Sequence, residues 1–237
     1  MPDSLGQLTQ DILADRCPVL LLDTCSIIDI IRVPIRATQG DLLGAAQRLF
    51  AQAKARPRQL WIVVNEQVVQ EWHDNATNVA GEVGAAIART EDAARRLLAS
   101  AKEVAPQQRM SAFSLGGLTL DNLLLKRSKS LLDVAATIAD DDICHQRALG
   151  RMRQRQAPSS QGKQEFKDCH IVEHFLELAG RLRHGSFAGP VIFVSSNTTD
   201  YGKIPGQPPL DENFSSVGLQ FVTDIAWAES LLPPAKQ

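Results

Sequence analysis

The stretch Val19-Leu20-Leu21-Leu22-Asp23-Thr24 decides the fold class. Four consecutive apolar residues leave no polar face, so a strand built from them is buried on both sides, as strands of a parallel sheet are. Pro18 opens the run and an acid closes it. Three further runs read the same way: Trp61-Ile62-Val63-Val64, Val191-Ile192-Phe193-Val194 and Leu219-Gln220-Phe221-Val222. Helical stretches lie between them. Residues 4–15 place Leu5, Leu8, Ile12 and Leu13 at helical spacing, 24–31 stop before Pro34, and 41–55, 66–73, about 165–182 and 224–232 follow. Strands alternating with helices predict an α/β fold, a parallel sheet with helices on both faces.

Residues 76–156 differ in texture, being rich in Ala, Leu, Arg and Asp with few β-branched runs. They read as several helices, broken near Pro106 and at Gly116-Gly117. This is a helical insertion within one domain spanning 1–237, because the strands on either side must join one sheet. Pro158-Ser159-Ser160-Gln161-Gly162 and Ile204-Pro205-Gly206-Gln207-Pro208-Pro209 read as loops.

The chain has 237 residues, 44% hydrophobic and 22% charged, which excludes wholesale disorder. A formal net charge of −2 excludes a general polyanion-coating protein. Cys17, Cys25, Cys144 and Cys169 form no CxxC pair, which argues against a zinc ribbon or a disulfide framework and fits a reducing cytosol. The first residues show no basic and then apolar targeting pattern. The apolar runs fall far short of the ~20 residues that span a bilayer. The expectation is a soluble, cytoplasmic protein with no membrane partner.

In open parallel sheets, ligands bind at the carboxyl ends of the strands. Asp23 follows the first strand, Ser195-Ser196-Asn197-Thr198-Thr199-Asp200 the third, and Thr223-Asp224 the fourth. Two helices add candidates. Glu71 lies three residues beyond Val68 and shares its stripe. Asp168 lies three and four residues before Ile171 and Val172, on the side of the helix that also carries Phe175, Leu176, Leu178 and Ala179. An inward carboxylate is costly unless a cation or donor meets it, and several together raise one another's pKa. A divalent cation removes the conflict. Hard oxygen ligands point to Mg2+ or Mn2+ and not to zinc. Such a site suits phosphodiester hydrolysis, one ion activating water while it, or a second ion about 4 Å away, stabilises the leaving oxygen. Each acid also has a plainer reading: Asp23 as a helix cap, Asp168 as a first-turn acid favoured by the helix dipole, Glu71 as a solvated acid and Asp200 as a turn residue.

Glu66 competes with Glu71, but the two are about 140° apart around a helix and cannot both face the site. Asp224 reads as a helix cap ahead of an auxiliary ligand. Asp140-Asp141-Asp142 reads as a helix start. His170 and His174 form an i,i+4 pair, but no clear third zinc ligand accompanies them, so the histidines are read as solvated or helix-face residues. Arg147, Arg151, Arg153, Arg155, Lys163 and Lys167 form a basic stretch. It is either a solvated helix face or a phosphate-guiding rim beside the acidic pocket, with Arg151 and Arg153 on a phosphate backbone in the second case.

These segments in order resemble the PIN-domain nucleases. Val19-Leu20-Leu21-Leu22-Asp23-Thr24-Cys25-Ser26 is similar to that family's opening strand and first acid. Trp61 to Trp72 is similar to its second strand and the helix with the second acid, Glu71. Gly162 to Ile171 resembles the helix start with the third acid, Asp168, and Val191 to Tyr201 the Ser/Thr-rich approach to the fourth, Asp200. The likeness is to a longer subgroup with a helical insert between the second and third acids. It implies a Rossmann-like α/β/α sandwich and an Mg2+- or Mn2+-dependent ribonuclease acting on single-stranded or structured RNA. Asp23, Glu71, Asp168 and Asp200 would be its metal site, with the Ser195 hydroxyl hydrogen-bonded within it. Cys25 stands where the family usually carries Asn. Homodimers are common in that family, and its small toxin members pair with a protein inhibitor, although this chain is longer than those toxins.

Two other classes compete. One is a PIN-like module without catalysis that serves as an RNA- or protein-interaction scaffold; the four acids argue against it. The other is a haloacid-dehalogenase-type phosphatase, which wants a second Asp two residues after the first; position 25 is Cys.

Overall fold

The run Val19-Leu20-Leu21-Leu22 forms the central strand of the sheet. The computed structural model describes residues 2–36, 41–105, 116–159, 166–202 and 210–234. In chain order the elements are α1 (Leu5–Asp15), β1 (Val19–Leu22), α2 (Thr24–Arg32), α3 (Leu42–Lys54), β2 (Trp61–Asn65), α4 (Glu66–Val104), α5 (Leu120–Asp133), β3 (Ala136–Ile138), α6 (Asp142–Gln154), α7 (Phe166–His184), β4 (Val191–Val194), α8 (Thr198–Tyr201), α9 (Asp211–Ser216), β5 (Gln220–Val222) and α10 (Ile225–Ser230). The five strands form one sheet in the order β3-β2-β1-β4-β5, every pairing parallel. Every residue of β1, β2 and β4 is buried, as continuous apolar runs require of strands covered on both faces. The expected α/β fold is the one observed. Helices flank the sheet in two groups: α1 and α6 pack on α7, while α2 packs on α4, α5 and α3, and α3 on α10.

Local signals set the helix starts. Ser4 Oγ accepts from the Gln7 N–H at 3.2 Å at the head of α1, and Asn65 Oδ1 accepts from the Val68 N–H at 3.0 Å at the head of α4. Helix α4 runs for 39 residues, well past the 66–73 segment read from the sequence. It continues because Ala76, Val79, Ala80 and Val83 prolong the buried stripe of Val68 and Trp72. Trp72 Nε1 donates to Ser128 Oγ at 2.8 Å, and that hydroxyl donates to the Ile27 carbonyl at 2.9 Å, tying α4, α5 and α2 together.

The sequence reading has four strands and a wholly helical 76–156. The structure has a fifth strand, β3, inside that stretch. Ala136-Thr137-Ile138 is too short to show a period, and its pairing with β2 and an isolated bridge from Asp3 to Ile138 make it a strand. The break at Gly116-Gly117 is present as a short 3-10 turn, Gly116–Leu118. The break near Pro106, most of the 158–162 loop and the 204–209 loop lie outside the described residues.

Candidate active site at the switch point of the sheet

The chain winds one way from β1 through β2 to β3 and the other way from β4 to β5, so the order reverses between β1 and β4. In this architecture the crevice beyond the carboxyl ends of such a strand pair is where ligands bind. The parallel register sets Leu22 beside Val194, which brings the next residues, Asp23 and Ser195, together. Ser195 Oγ donates to Asp23 Oδ2 at 2.7 Å. Cys25 Sγ donates to the same oxygen at 3.0 Å, and the Thr24 N–H donates to Asp23 Oδ1 at 2.7 Å. Asp23 is therefore both the α2 cap and a strand-end acid, so the two readings of it describe one geometry.

Each of the other acids is held by its own hydrogen-bond donor. Thr24 Oγ1 donates to Glu71 Oε2 at 2.8 Å, Gln67 Nε2 donates to Glu71 Oε1 at 3.0 Å, and Lys167 Nζ stands 3.8 Å from Oε1. Tyr201 Oη donates to Asp168 Oδ1 at 3.1 Å, with Asp23 also close enough to act on the phenol electrostatically. The Asn197 N–H donates to Ser195 Oγ at 3.1 Å, and Asn197 Nδ2 donates to Asp200 Oδ2 at 2.8 Å. All four predicted acids thus border one edge of the sheet. They do not meet at a point: among the described residues, the three ligand-type side chains with atoms within 4.8 Å of one another are Asp140, His170 and His174. Glu66 points elsewhere, its Oε2 accepting from the Asp140 N–H at 2.8 Å. Asp224 caps α10 by accepting from the Trp227 N–H at 2.8 Å.

Burial sets the electrostatics. Asp23 is 4% exposed. Desolvation raises its carboxyl above the ordinary range, against hydrogen bonds from Cys25, Ser195 and the Thr24 N–H that lower it, and the Glu71 charge raises it further. Burial and the Asp23 charge hold the Cys25 thiol protonated, far above its usual value, so it serves as a donor. Burial likewise keeps the Tyr201 hydroxyl protonated. Among the described residues no lysine or arginine pairs with Asp23. A buried carboxylate near a second one, met by a hydroxyl, a thiol and a backbone N–H but by no basic side chain among the described residues, fits a hard divalent cation.

A PIN-domain family model matches residues 20–201, from β1 through the last of the four acids. The chain belongs to the PIN-domain family. PIN domains are generally nucleases, and the parallel sheet with flanking helices is the fold expected of one. No curated protein and no solved structure matches the chain. Among the described residues no helix is long and apolar enough to cross a membrane.

Around the PIN site, two sequence readings are corrected. Arg151 does not face RNA. It is 8% exposed, its Nε donates to the buried Glu173, and its Nη1 donates to the Ala157 carbonyl at 2.7 Å, because α6 packs along α7. Arg147 is paired to Glu177 at 2.6 Å. Arg153, Arg155 and Lys167 remain exposed, and Lys163 lies outside the described residues. His170 and His174 are not solvated; they are 3% and 0% exposed. The third ligand-type residue beside them is Asp140, at the end of the strand missed in the sequence. Asp141 starts α6 as expected, accepting from the Ile143 and Cys144 N–H groups at 3.0 and 3.1 Å. Sequence reasoning did not single out Thr24 and Asn197, which place Glu71 and Asp200. Their polar side chains two and three residues after the ends of β1 and β4 were the signal.

Proposed function

We propose that this PIN domain is a metal-dependent endoribonuclease that hydrolyses RNA phosphodiester bonds, with Asp23, Glu71, Asp168 and Asp200 holding Mg2+ or Mn2+. The observation that carries the reading is Asp23: a buried carboxylate at the switch point, fixed by three donors and paired with no basic side chain among the described residues. Bound there, the cation supplies charge neutralisation for the scissile phosphate and a lowered pKa for the attacking water. The protein's own groups do the positioning. Ser195 and Cys25 occupy Oδ2 of Asp23 and the Thr24 N–H occupies one lone pair of Oδ1, which fixes the carboxylate plane and leaves acceptor capacity on Oδ1. The Thr24 hydroxyl orients Glu71, the Tyr201 hydroxyl orients Asp168, and the Asn197 amide orients Asp200. Lys167, exposed beside Glu71, is the cation placed to meet an RNA phosphate, so a slightly acidic chain holds a polyanion through local charge.

The experiment is cleavage of end-labelled single-stranded and hairpin RNAs with Mn2+ by the wild type and by Asp23→Asn. Cleavage by the wild type alone supports the reading. Equal products from both proteins, or none from either, overturn it, the second result in favour of an inactive interaction module.

A further inference from the structure

On the side of α7 away from Asp168, His170, His174 and Asp140 form a group that the nuclease reading does not use. Neither ring nitrogen of His170 has a hydrogen-bond partner among the described residues, although the side chain is buried. A buried imidazole with both nitrogens unmet is costly and calls for a ligand. Its Nε2 faces Asp140 Oδ1 at 3.6 Å. That is long for a hydrogen bond. It is close to the separation of about 3.4 Å that two ligands reach on a tetrahedral zinc ion with bonds near 2.1 Å. His174 is prepared in the way metal-ligating histidines are: Nδ1 donates to the His170 carbonyl at 2.8 Å, which leaves the Nε2 lone pair available. That lone pair now accepts from the Asp141 N–H at 3.2 Å, a bond the ion would replace.

We propose that Asp140, His170 and His174 bind a zinc-class cation. Two imidazoles and one carboxylate suit a borderline metal and not Mg2+, and three protein ligands leave a fourth position for water. The ion ties the loop after the edge strand β3 to α7, the helix that also bears Asp168. It acts as a clamp between the 76–156 stretch and the core.

The test uses the full chain, freed of metal with a chelator and titrated with Zn2+ alone, and with Co2+ for its visible ligand-field bands. The variants are Asp23→Asn and Asp140→Ala; Asp140 is exposed, so its loss leaves the fold intact. The expected result is one equivalent of Zn2+, tetracoordinate Co2+ bands and a Zn2+-induced rise in thermal midpoint, all kept in Asp23→Asn. In Asp140→Ala the affinity falls by about tenfold or more, as outlying changes at metal sites already cost that much, and the rise in midpoint shrinks with it. Zn2+ binding unchanged by Asp140→Ala, binding lost in Asp23→Asn instead, or no Zn2+ uptake at all would each overturn the proposal.

Discussion

Helix α7 presents ligand-type side chains to two different neighbourhoods. Asp168 turns toward the switch-point side, where Tyr201 holds it and the other predicted acids, Asp23, Glu71 and Asp200, offer only oxygen. His170, two residues on and about 200° around the helix, turns to β3 and α6, where imidazole nitrogen dominates. The first neighbourhood is made by topology: any residue ending β1 or β4 must line that crevice. The second is made by packing, since Asp140 reaches α7 only because β3 joins the edge of the sheet. One helix can therefore carry side chains of both proposed metal sites without either disturbing the other, since the two sets point to opposite sides.

Four substitutions break or sharpen this contrast. Asp23→Asn should silence the pocket alone: Mn2+-dependent RNA cleavage should fall by about a thousandfold, or about 4 kcal/mol, while Zn2+ uptake stays at the wild-type level. A cleavage assay paired with calorimetric titration checks both halves. Arg151→Met should do the reverse. It leaves Glu173 buried without its partner in the α6–α7 seam, so urea unfolding should show a loss of about 3 kcal/mol, with RNA affinity of the folded protein unchanged. Weakened RNA binding there would return Arg151 to the phosphate rim.

Tyr201→Phe removes the hydroxyl that orients Asp168. Cleavage should slow by about tenfold, the scale of one hydrogen bond to a charged group, with no change in Zn2+ affinity. The smallest effect belongs to Glu177→Gln on the α6–α7 seam. Partial burial acts to raise the Glu177 carboxyl, but Arg181 and Arg147, at 2.7 and 2.6 Å, hold it below its ordinary value of 4.5. A depressed carboxyl contributes stability above its unfolded value and loses it as the pH falls through the folded one. Thermal midpoints should therefore differ by the equivalent of under about 1 kcal/mol at pH 7 and converge as the pH drops below 4.5.

Much of the fold was legible because buried parallel strands leave an unambiguous mark. Val19–Leu22 and Val191–Val194 match the predicted runs, and 61–64 lacks only Asn65. Asp23 was legible as a candidate for the same reason, since a polar residue that ends such a run sits at the carboxyl edge, whereas Glu71 and Asp168 were picked out by their place on helix stripes. Strand β3 was not, because three residues with mixed burial carry no period and only the neighbouring β2 defines them. Missing β3 hid Asp140 beside the His170/His174 pair, so histidines read as solvated or helix-face residues turn out to be buried on the face of α7. Arg151 was misread because an arginine in a basic run looks exposed until the facing Glu173 is known.

The sequence by itself determined the α/β class, where four of the strands lie along the chain and that Asp23 ends the first, since these follow from local hydrophobic runs and where they stop. Only the tertiary structure decided what each polar side chain meets: Ser195 against Asp23, Tyr201 against Asp168, Glu173 against Arg151, Asp140 against His170. Those pairs lie between 22 and 172 residues apart in the chain. Contacts at that separation arise from sheet order and helix packing, which a local pattern does not encode.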